Sequence, residues 1–369
     1  MASRPRRLDP ELLEVLTSPR EAGTTAVARA REAVAAHLRA LGYRIEIQAF
    51  RFDPSALRAF PLLGVGVAWM GLVLVPLLVS AAPPGWAALA AWLAGAALLG
   101  MLAYRVGSRR PVCSGHGGAV GGADLRDDAN LLAVRSTDVR CWVVAHLDTK
   151  AQGHSMAGRL IAVWLVIIAA LALSALALAR IGGPQPLVDA LAGAGAAVVA
   201  GVLAGRGRLR GQSPGVRDNG SGVVAALTAA ASIRDPGVGF IITGAEEFGL
   251  MGARALARER ADLFTGRTVV NLDTLDETGA VTIVSHDRPG RQGAEEYARR
   301  LRALGLPVRV RRLPLGILVD SLAFARTGAR AITIARLDWS TLRRLHTPRD
   351  SAEGCSFETA SRIGAAVVS

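Results

Sequence analysis

Residues 240–249 read Phe-Ile-Ile-Thr-Gly-Ala-Glu-Glu-Phe-Gly, an apolar run that leads within a few residues into two adjacent carboxylates. Short apolar runs bounded by glycine predict buried strands. Two other runs end in the same way, because 143–145 leads into His146 and 269–272 leads into Asp273. Since sites in open α/β sheets form at the carboxyl ends of strands, we expect these polar side chains to share one site.

Strand and helix patterns alternate through the polar parts of the chain. A helix with Val27, Ala30 and Val34 on one face precedes a strand in which Ile45 and Ile47 alternate with polar residues. Further strands are predicted at 130–134, 141–145, 239–245, 268–272 and 331–335, and further helices at 223–233, 249–260 and 292–304. This alternation indicates an α/β fold, in which a sheet carries helices on both faces.

The composition points to membrane segments. Of the 369 residues, 51% are hydrophobic, and the mean hydropathy of +0.33 is high for a soluble enzyme. This apolar fraction excludes a disordered chain, and three scattered cysteines exclude a disulfide framework. Four apolar segments are of about the length that spans a bilayer core of about 30 Å. They are residues 60–80, 86–104, 160–179 and 187–205.

The four segments pair into two transmembrane hairpins, at residues 60–104 and 160–205. The hairpin turns carry one basic residue, Arg180, whereas the other basic residues near the spans lie outside the hairpins. The positive-inside rule therefore places both termini and all polar segments on the cytoplasmic side of the inner, cytoplasmic membrane. The polar segments are expected to form one discontinuous domain there, made of residues 1–59, 105–159 and 206–369.

The net charge of +13 and the pI near 11.2 raise the question of a nucleic-acid partner. Lys150 is the only lysine, and the arginines are spread along the whole chain. A binding surface for nucleic acid would collect them in one stripe or patch. We therefore expect no nucleic-acid partner.

Five short polar motifs follow one another along the chain. Each is a weak signal alone, since a Glu-Glu pair commonly starts a helix and Gly-Ser-Gly is commonly a turn. Together they supply the histidine and carboxylate ligands that a hydrolytic metal centre needs. The motifs are His146-x-Asp148, Asp218-Asn-Gly-Ser-Gly222, Glu246-Glu-Phe-Gly-Leu-x-Gly252, Asn271-Leu-Asp273 and His346-Thr-x-x-Asp350.

This ordered set resembles the co-catalytic zinc peptidases of family twenty-eight in clan MH, which include bacterial aminopeptidases, glutamate carboxypeptidase and the related glutaminyl cyclases. The resemblance covers about residues 25–55 and 128–365, without the third and fourth spans. It implies a mixed central sheet in an α/β/α sandwich like that of the zinc aminopeptidases, interrupted here by the two hairpins. It also implies a zinc-dependent exopeptidase, with aminopeptidase action as the natural expectation.

The resemblance assigns the metal ligands residue by residue. Asp218 would bridge two zinc ions. One ion would also bind His146 and Asp273, and the other would bind Glu247 and His346. Every expected ligand is present in the sequence, which argues against an inactive enzyme. Other divalent metals remain open, because carboxylate-rich sites accept several.

The resemblance implies roles for two further residues. Glu246 would be the general base that takes a proton from the attacking water and passes it to the leaving amine. Asp148 would hold the imidazole of His146 and fix its tautomer. A cis peptide bond is also implied directly after the bridging aspartate, between Asp218 and Asn219.

The chain departs from the family pattern where a hairpin, roughly residues 150–210, separates the first ligand from the bridging aspartate. Lys150 and His154 lie at its start, and we expect Lys150 to reach the bilayer interface. Peptide substrates and the lipid bilayer are the expected partners. The alternatives are amidase or cyclase chemistry on the same metal centre, and a catalytically weak membrane scaffold that binds peptides. The preferred substrate and the oligomeric state stay open.

Overall fold

The computed structural model describes residues 9–108, 110–113, 125–314 and 316–369. The chain divides into two compact units. The first, here called the polar unit, is built from the described residues of Met1–Pro54, Arg110–Ala151 and Gly211–Ser369. The second, here called the helical unit, is built from those of Ser55–Arg109 and Gln152–Arg210. The helical unit therefore consists of two insertions into the sequence of the polar unit.

The described strands of the polar unit form one sheet. They are β1 (Arg44–Phe52), β2 (Val112–Cys113), β3 (Arg126–Val134), β4 (Cys141–His146), β5 (Val238–Thr243), β6 (Thr268–Leu275), β7 (Ala280–Ser285), β8 (Val308–Arg312) and β9 (Arg330–Leu337). Their order across the sheet is β2-β1-β3-β5-β4-β6-β9-β7-β8.

The sheet is mixed, with a parallel centre. Strands β5, β4, β6 and β9 run parallel to one another, while β3 pairs antiparallel with β5 and β7 pairs antiparallel with β9. Parallel neighbours bring their carboxyl ends to the same edge of the sheet. The end of β4 at His146 and the end of β5 at Thr243 are therefore adjacent in the ladder.

Helices cover both faces of this sheet, which confirms the predicted fold class. The helices of the polar unit, numbered in chain order with those of the helical unit, are α1 (Pro10–Leu16), α2 (Thr25–Ala40), α7 (Ser221–Ser232), α8 (Met251–Glu259), α9 (Arg288–Arg302), α10 (Ser321–Ala325), α11 (Trp339–Leu342) and α12 (Glu358–Val367). One core packs α2, α7, α9 and α12 on the sheet, and a second core packs α8 and α10. Along β4, Val143 and Ala145 enter the first core and Trp142 and Val144 enter the second, as the alternation of a strand requires.

The predicted elements of the polar unit are present, with boundaries shifted by a few residues. Helix α2 begins where Thr24 accepts a hydrogen bond from the backbone N–H of Val27, and it buries the apolar face read from the sequence. Strands β7 and β8 and helix α12 have no counterpart in the sequence prediction.

The helical unit contains four helices, each long and apolar enough to cross a membrane. They are α3 (Ala59–Val79), α4 (Ala87–Gly107), α5 (Met156–Ala179) and α6 (Leu187–Gly205). Helices α3 and α6 approach each other through small residues. Gly64 and Gly71 of α3 lie so close to Ala204 and Ala197 of α6 that a Cβ on either glycine would have no room. Close approach through small residues is typical of helices that pack in lipid.

Two polar side chains of the helical unit, Arg180 and Trp92, have hydrogen-bond partners within it. The guanidinium of Arg180 donates to the carbonyl oxygens of Leu77, Ser80 and Pro83, which joins the ends of the two hairpins. The indole of Trp92 donates to Ser174 Oγ at 2.8 Å. The outer surface is apolar instead: Trp69 is 68% exposed and Val188 is 70% exposed.

Candidate metal centre

Five candidate ligands converge from different elements of the polar unit. His146 is the last residue of β4, Asp273 lies on β6, and Glu247 belongs to the short turn after β5. Asp218 lies in the short segment Val216–Gly220 that leads into α7, and His346 lies in the loop after α11. All five side chains are buried. Residues far apart in the sequence thus meet because the parallel strands end at one edge of the sheet.

The ligand atoms form two groups that share Asp218. In the first group, His146 Nε2 lies 3.2 Å from Asp218 Oδ1 and 3.8 Å from Asp273 Oδ1. In the second group, His346 Nε2 lies 3.2 Å from Asp218 Oδ2 and 3.3 Å from Glu247 Oε1. Each carboxylate oxygen of Asp218 therefore faces one histidine, which is the arrangement that a bridging ligand requires.

These groups fit a pair of zinc ions. With bonds of about 2.0–2.1 Å, two ligand atoms of a tetrahedral zinc site lie about 3.3 Å apart, close to most of the separations above. Among the described residues, neither ring nitrogen of His346 has a hydrogen-bond partner, and neither does Glu247 Oε1. Buried polar atoms are rarely left without a partner, and a cation between these lone pairs would supply one.

The environment keeps the ligand carboxyl groups ionised. Burial raises the pKa of Asp218, but its contacts with the imidazoles of His146 and His346 outweigh this and lower the pKa well below the usual range. Burial also raises the pKa of Glu247, and the charges of His346 and Lys150 outweigh it, so that this pKa falls to about 2. Ionised carboxylates are the form that binds a metal ion.

Asp148 connects His146 to the turn that carries the two glutamates. His146 Nδ1 lies 3.1 Å from the carbonyl oxygen of Asp148, which can only accept, so Nδ1 donates and Nε2 remains the ligand atom. The carboxylate of Asp148 lies farther from this nitrogen, at 3.7 Å. Its two oxygens accept the backbone N–H groups of Glu246 and Glu247, at 3.0 and 3.1 Å. The contact that orients the imidazole of His146 is thus made by the main chain of Asp148. The side chain of Asp148 instead positions Glu246 and Glu247.

The segment around Asp218 is held by a second set of buried polar groups. The carboxylate of Asp350 accepts the N–H groups of Arg217 and Asp218, at 2.9 and 3.1 Å. Arg217 also pairs with Asp276 at 3.0 Å. The peptide bond between Asp218 and Asn219 is cis, as the resemblance implies. These contacts fix the backbone from which the bridging carboxylate projects.

Arg20 is a positioning residue that the sequence prediction lacks. Its buried guanidinium donates to five carbonyl oxygens, so it joins the segment after His146 to the segment before Asp218. The acceptors are Leu16, Ser18, Leu147, Pro214 and Gly215. No motif surrounds Arg20 in the sequence, and an arginine in an arginine-rich chain carries no signal of its own.

Lys150 corrects the sequence prediction. Instead of extending toward an interface, its side chain is 2% exposed inside the polar unit. Its Nζ lies 2.7 Å from Glu247 Oε2, so it pairs with a candidate metal ligand. A buried ammonium needs such a partner, because an unpaired charge in a protein interior is strongly unfavourable.

Glu246 and Asp320 add two buried carboxyl groups beside the ligands. Burial and the nearby charges of Glu247, Asp320 and Asp273 raise the pKa of Glu246 well above its usual value. Burial likewise raises the pKa of Asp320 to about 7, although the hydroxyl of Thr243 donates to it at 2.5 Å. A carboxyl group with a raised pKa is suited to accept and release a proton near neutral pH.

Comparisons with known proteins agree with this arrangement. A family model described as Peptidase family M28 matches residues 199–369, a little under half of the chain. The matched stretch contains four of the five candidate ligands, and His146 precedes it. A comparison with curated protein sequences finds no significant match.

Solved structures share the fold along nearly the whole chain. The glutaminyl cyclase of Fimbriiglobus ruber has a TM-score of 0.52 and 14% identity, covering 99% of this chain and 95% of that one. A zinc aminopeptidase from Bacillus subtilis has a TM-score of 0.51 and 14% identity, covering 97% and 92%. A Zn-dependent exopeptidase from Parabacteroides distasonis has a TM-score of 0.54 and 15% identity, covering 99% and 98%. The fold is therefore a zinc aminopeptidase-like α/β fold.

Replacing Asp148 tests the connection between the strand and the glutamate turn. In Asp148→Asn, one oxygen that accepts a backbone N–H becomes an amide that cannot accept it, so the Glu246–Glu247 turn shifts. We expect the zinc affinity to fall by about 10–100-fold, the usual effect of losing a partner that orients a ligand. Competition with a chromogenic chelator measures it. Asp138→Asn is the matched control, since its side chain is 70% exposed and zinc affinity should stay unchanged. An unaltered affinity in Asp148→Asn contradicts this role.

Proposed function

We propose that the chain is a membrane-integral member of family M28, a zinc-dependent exopeptidase that acts as an aminopeptidase. The observation that carries this proposal is the pair of buried ligand groups that share Asp218, with Glu246 buried beside them. The family model match and the fold likeness support the same assignment. The metal would be zinc, held by two imidazoles and three carboxylates, and other divalent ions also suit such ligands.

His146, Asp218 and Asp273 would hold one zinc ion, and Asp218, Glu247 and His346 would hold the other. When bound, such a pair supplies a water of lowered pKa and a Lewis acid that polarises the scissile carbonyl. The protein residues fix these positions before substrate arrives, because Asp148 and Asp350 hold the backbones from which the ligands project.

Glu246 is the residue that moves the proton in this proposal. Its carboxylate takes a proton from the attacking water, and the resulting acid gives it to the leaving amine nitrogen as the peptide bond breaks. Burial and the neighbouring carboxylates raise the pKa of Glu246, and a raised pKa favours the acid form that donates to the leaving amine. Its neighbour Glu247 keeps a lowered pKa instead, so two adjacent glutamates have different roles.

A second candidate is glutaminyl cyclase chemistry on the same metal centre. The observation that favours it is the likeness to solved glutaminyl cyclases as well as to aminopeptidases. The two reactions release different products from a glutaminyl-anilide: an aminopeptidase releases the aniline, whereas a cyclase releases ammonia. A panel of aminoacyl-anilides that includes the glutaminyl compound separates them. A scaffold that only binds peptides would release neither.

The bilayer is the second proposed partner, and the helical unit supports it. Its four helices are long enough to span, and their outward side chains are large and apolar, including Trp69, Leu171 and Val188. Soluble monomers rarely expose apolar patches larger than a few hundred Å². The arginines that flank the spans in sequence favour a cytoplasmic polar unit, with the hairpin turns across the membrane.

Replacing Glu246 tests the hydrolytic mechanism. Glu246→Gln keeps the size of the side chain but removes the base, so we expect kcat for aminoacyl-anilide hydrolysis to fall by about 10²–10⁴-fold. The zinc content, measured by elemental analysis, should stay that of the wild type. Glu295→Gln on the exposed side of α9 is the matched control and should keep full activity. Full activity in Glu246→Gln would refute the assigned base.

A topology measurement tests the orientation. Pro83 lies between α3 and α4, so a reporter that is active only outside the cytoplasm should be active when it is fused there. The same reporter fused after Ser369 should be inactive. A cytoplasmic reporter that is active at Pro83 would reverse the proposed orientation.

A further inference from the structure

Lys150 is a buried cation to which the proposed mechanism assigns no role. Its side chain is 2% exposed, and its Nζ lies 2.7 Å from Glu247 Oε2. The same ammonium donates to the backbone carbonyl oxygen of Glu247 at 3.3 Å. Lys150 therefore contacts both the side chain and the main chain of one candidate metal ligand.

This contact divides the two oxygens of the Glu247 carboxylate between different partners. Oε2 faces the ammonium of Lys150, while Oε1 faces His346 Nε2 at 3.3 Å and has no hydrogen-bond partner among the described residues. Oε1 is thus the oxygen available to a metal ion. As long as the ion pair persists, Glu247 can offer one ligand atom and not two.

The position of Lys150 is fixed by the main chain beside it. The N–H of Thr149 donates to the carbonyl oxygen of Arg20 at 3.0 Å, and Thr149 Oγ1 accepts the N–H of Arg20 at 2.9 Å. Thr149 also pairs with Glu21 through a parallel bridge. These contacts come from the N-terminal part of the polar unit, so they hold Lys150 without any help from a metal ion.

In the part of the chain that the structure describes, the other metal position has no such cation. Asp273 Oδ1 accepts the hydroxyl of its neighbour Thr274 at 3.1 Å, and among the described residues it forms no ion pair with a lysine or arginine. Among these residues, no lysine or arginine therefore competes with a metal ion for the carboxylate of Asp273. The charge of Glu247 is shared with Lys150 instead. The two positions thus differ in their electrostatics even though both bind through one histidine and the shared Asp218.

We propose that Lys150 is a positioning residue that restricts Glu247 to a single metal-binding oxygen and makes the Glu247–His346 position the weaker of the two metal positions. This inference rests on the proposed metal centre. Its physical basis is that an ammonium beside a ligand withdraws negative charge from it and repels a divalent cation a few ångströms away, which is a substantial interaction in a buried site. Partners of a metal ligand commonly change its metal affinity by about 10–100-fold.

Stepwise zinc titration of the metal-free full-length protein in detergent tests the inference. The wild type should bind two equivalents, with the second weaker. In Lys150→Met, a side chain of similar length lacks the charge, so Glu247 can turn both oxygens to the ion. We expect the second equivalent to bind about 10–100-fold more tightly, with the first little changed. Lys150→Arg keeps the cation and should keep the weaker second step.

A second measurement needs no variant. Lys150 is the only lysine of the chain, so protein labelled with 13C at the lysine ε-carbon, and carrying no lysine in its tag, gives one such signal. This signal should move mainly on addition of the second zinc equivalent, because that ion binds beside Glu247. If the signal instead moves completely on addition of the first zinc equivalent, the stronger metal position is the one that contains Glu247, and the inference is overturned.

A merely structural role for Lys150 predicts a different result. Lys150→Met would then lower the melting temperature with and without zinc, while both zinc affinities stayed as in the wild type. Arg135→Met is the control for lost stability, since Arg135 donates to the carbonyl oxygens of Leu41 and Ile233 and contacts no ligand. Weaker or unchanged binding of the second equivalent in Lys150→Met overturns the inference. Absence of any zinc binding in the wild type would refute the metal centre itself.

Discussion

Mutual repulsion among buried carboxylates is the constraint on which the site depends. Asp218, Glu247 and Asp273 project into one small volume with Glu246 and Asp320 nearby, and burial alone would raise the pKa of each of the first two. Cations must offset this repulsion. The protein supplies some of them itself, since Lys150 pairs with Glu247 and the charge of Arg20 interacts with that of Asp218. The remaining unpartnered lone pairs of the ligand groups suit bound metal ions. Much of the surrounding hydrogen bonding holds these charges in place.

The ligands could be predicted from the sequence because each follows a local rule. His146 and Asp273 follow apolar runs that end at one edge of the sheet, and Asp218 precedes a helix start marked by glycine and serine. In their order along the chain, the motifs resemble those of the co-catalytic zinc peptidases, and the likeness of the fold to solved zinc aminopeptidases supports this resemblance. The central strands were predictable for the same reason. Strand β8 was not, because Arg309 and Arg311 alternate with its valines on a sheet edge and leave no apolar run.

The prediction for Lys150 was wrong because it relied on the position of this residue beside an apolar span. The main chain beside Lys150 is held instead by a contact between Thr149 and Arg20, which lies 129 residues before Thr149. The role of Arg20 could not be predicted, because its partners are backbone carbonyl oxygens, which carry no sequence signature. Long-range contacts of single polar residues with the main chain are the part of a site that a sequence pattern cannot show.

The central claim is that two metal ions bind at the shared carboxylate of Asp218. Diffraction from crystals of the zinc-loaded protein at the zinc absorption edge tests it most directly. The account predicts two anomalous peaks, one among His146, Asp218 and Asp273 and the other among Asp218, Glu247 and His346. A map without a peak at these ligands, or with one peak only at full zinc loading, would contradict it.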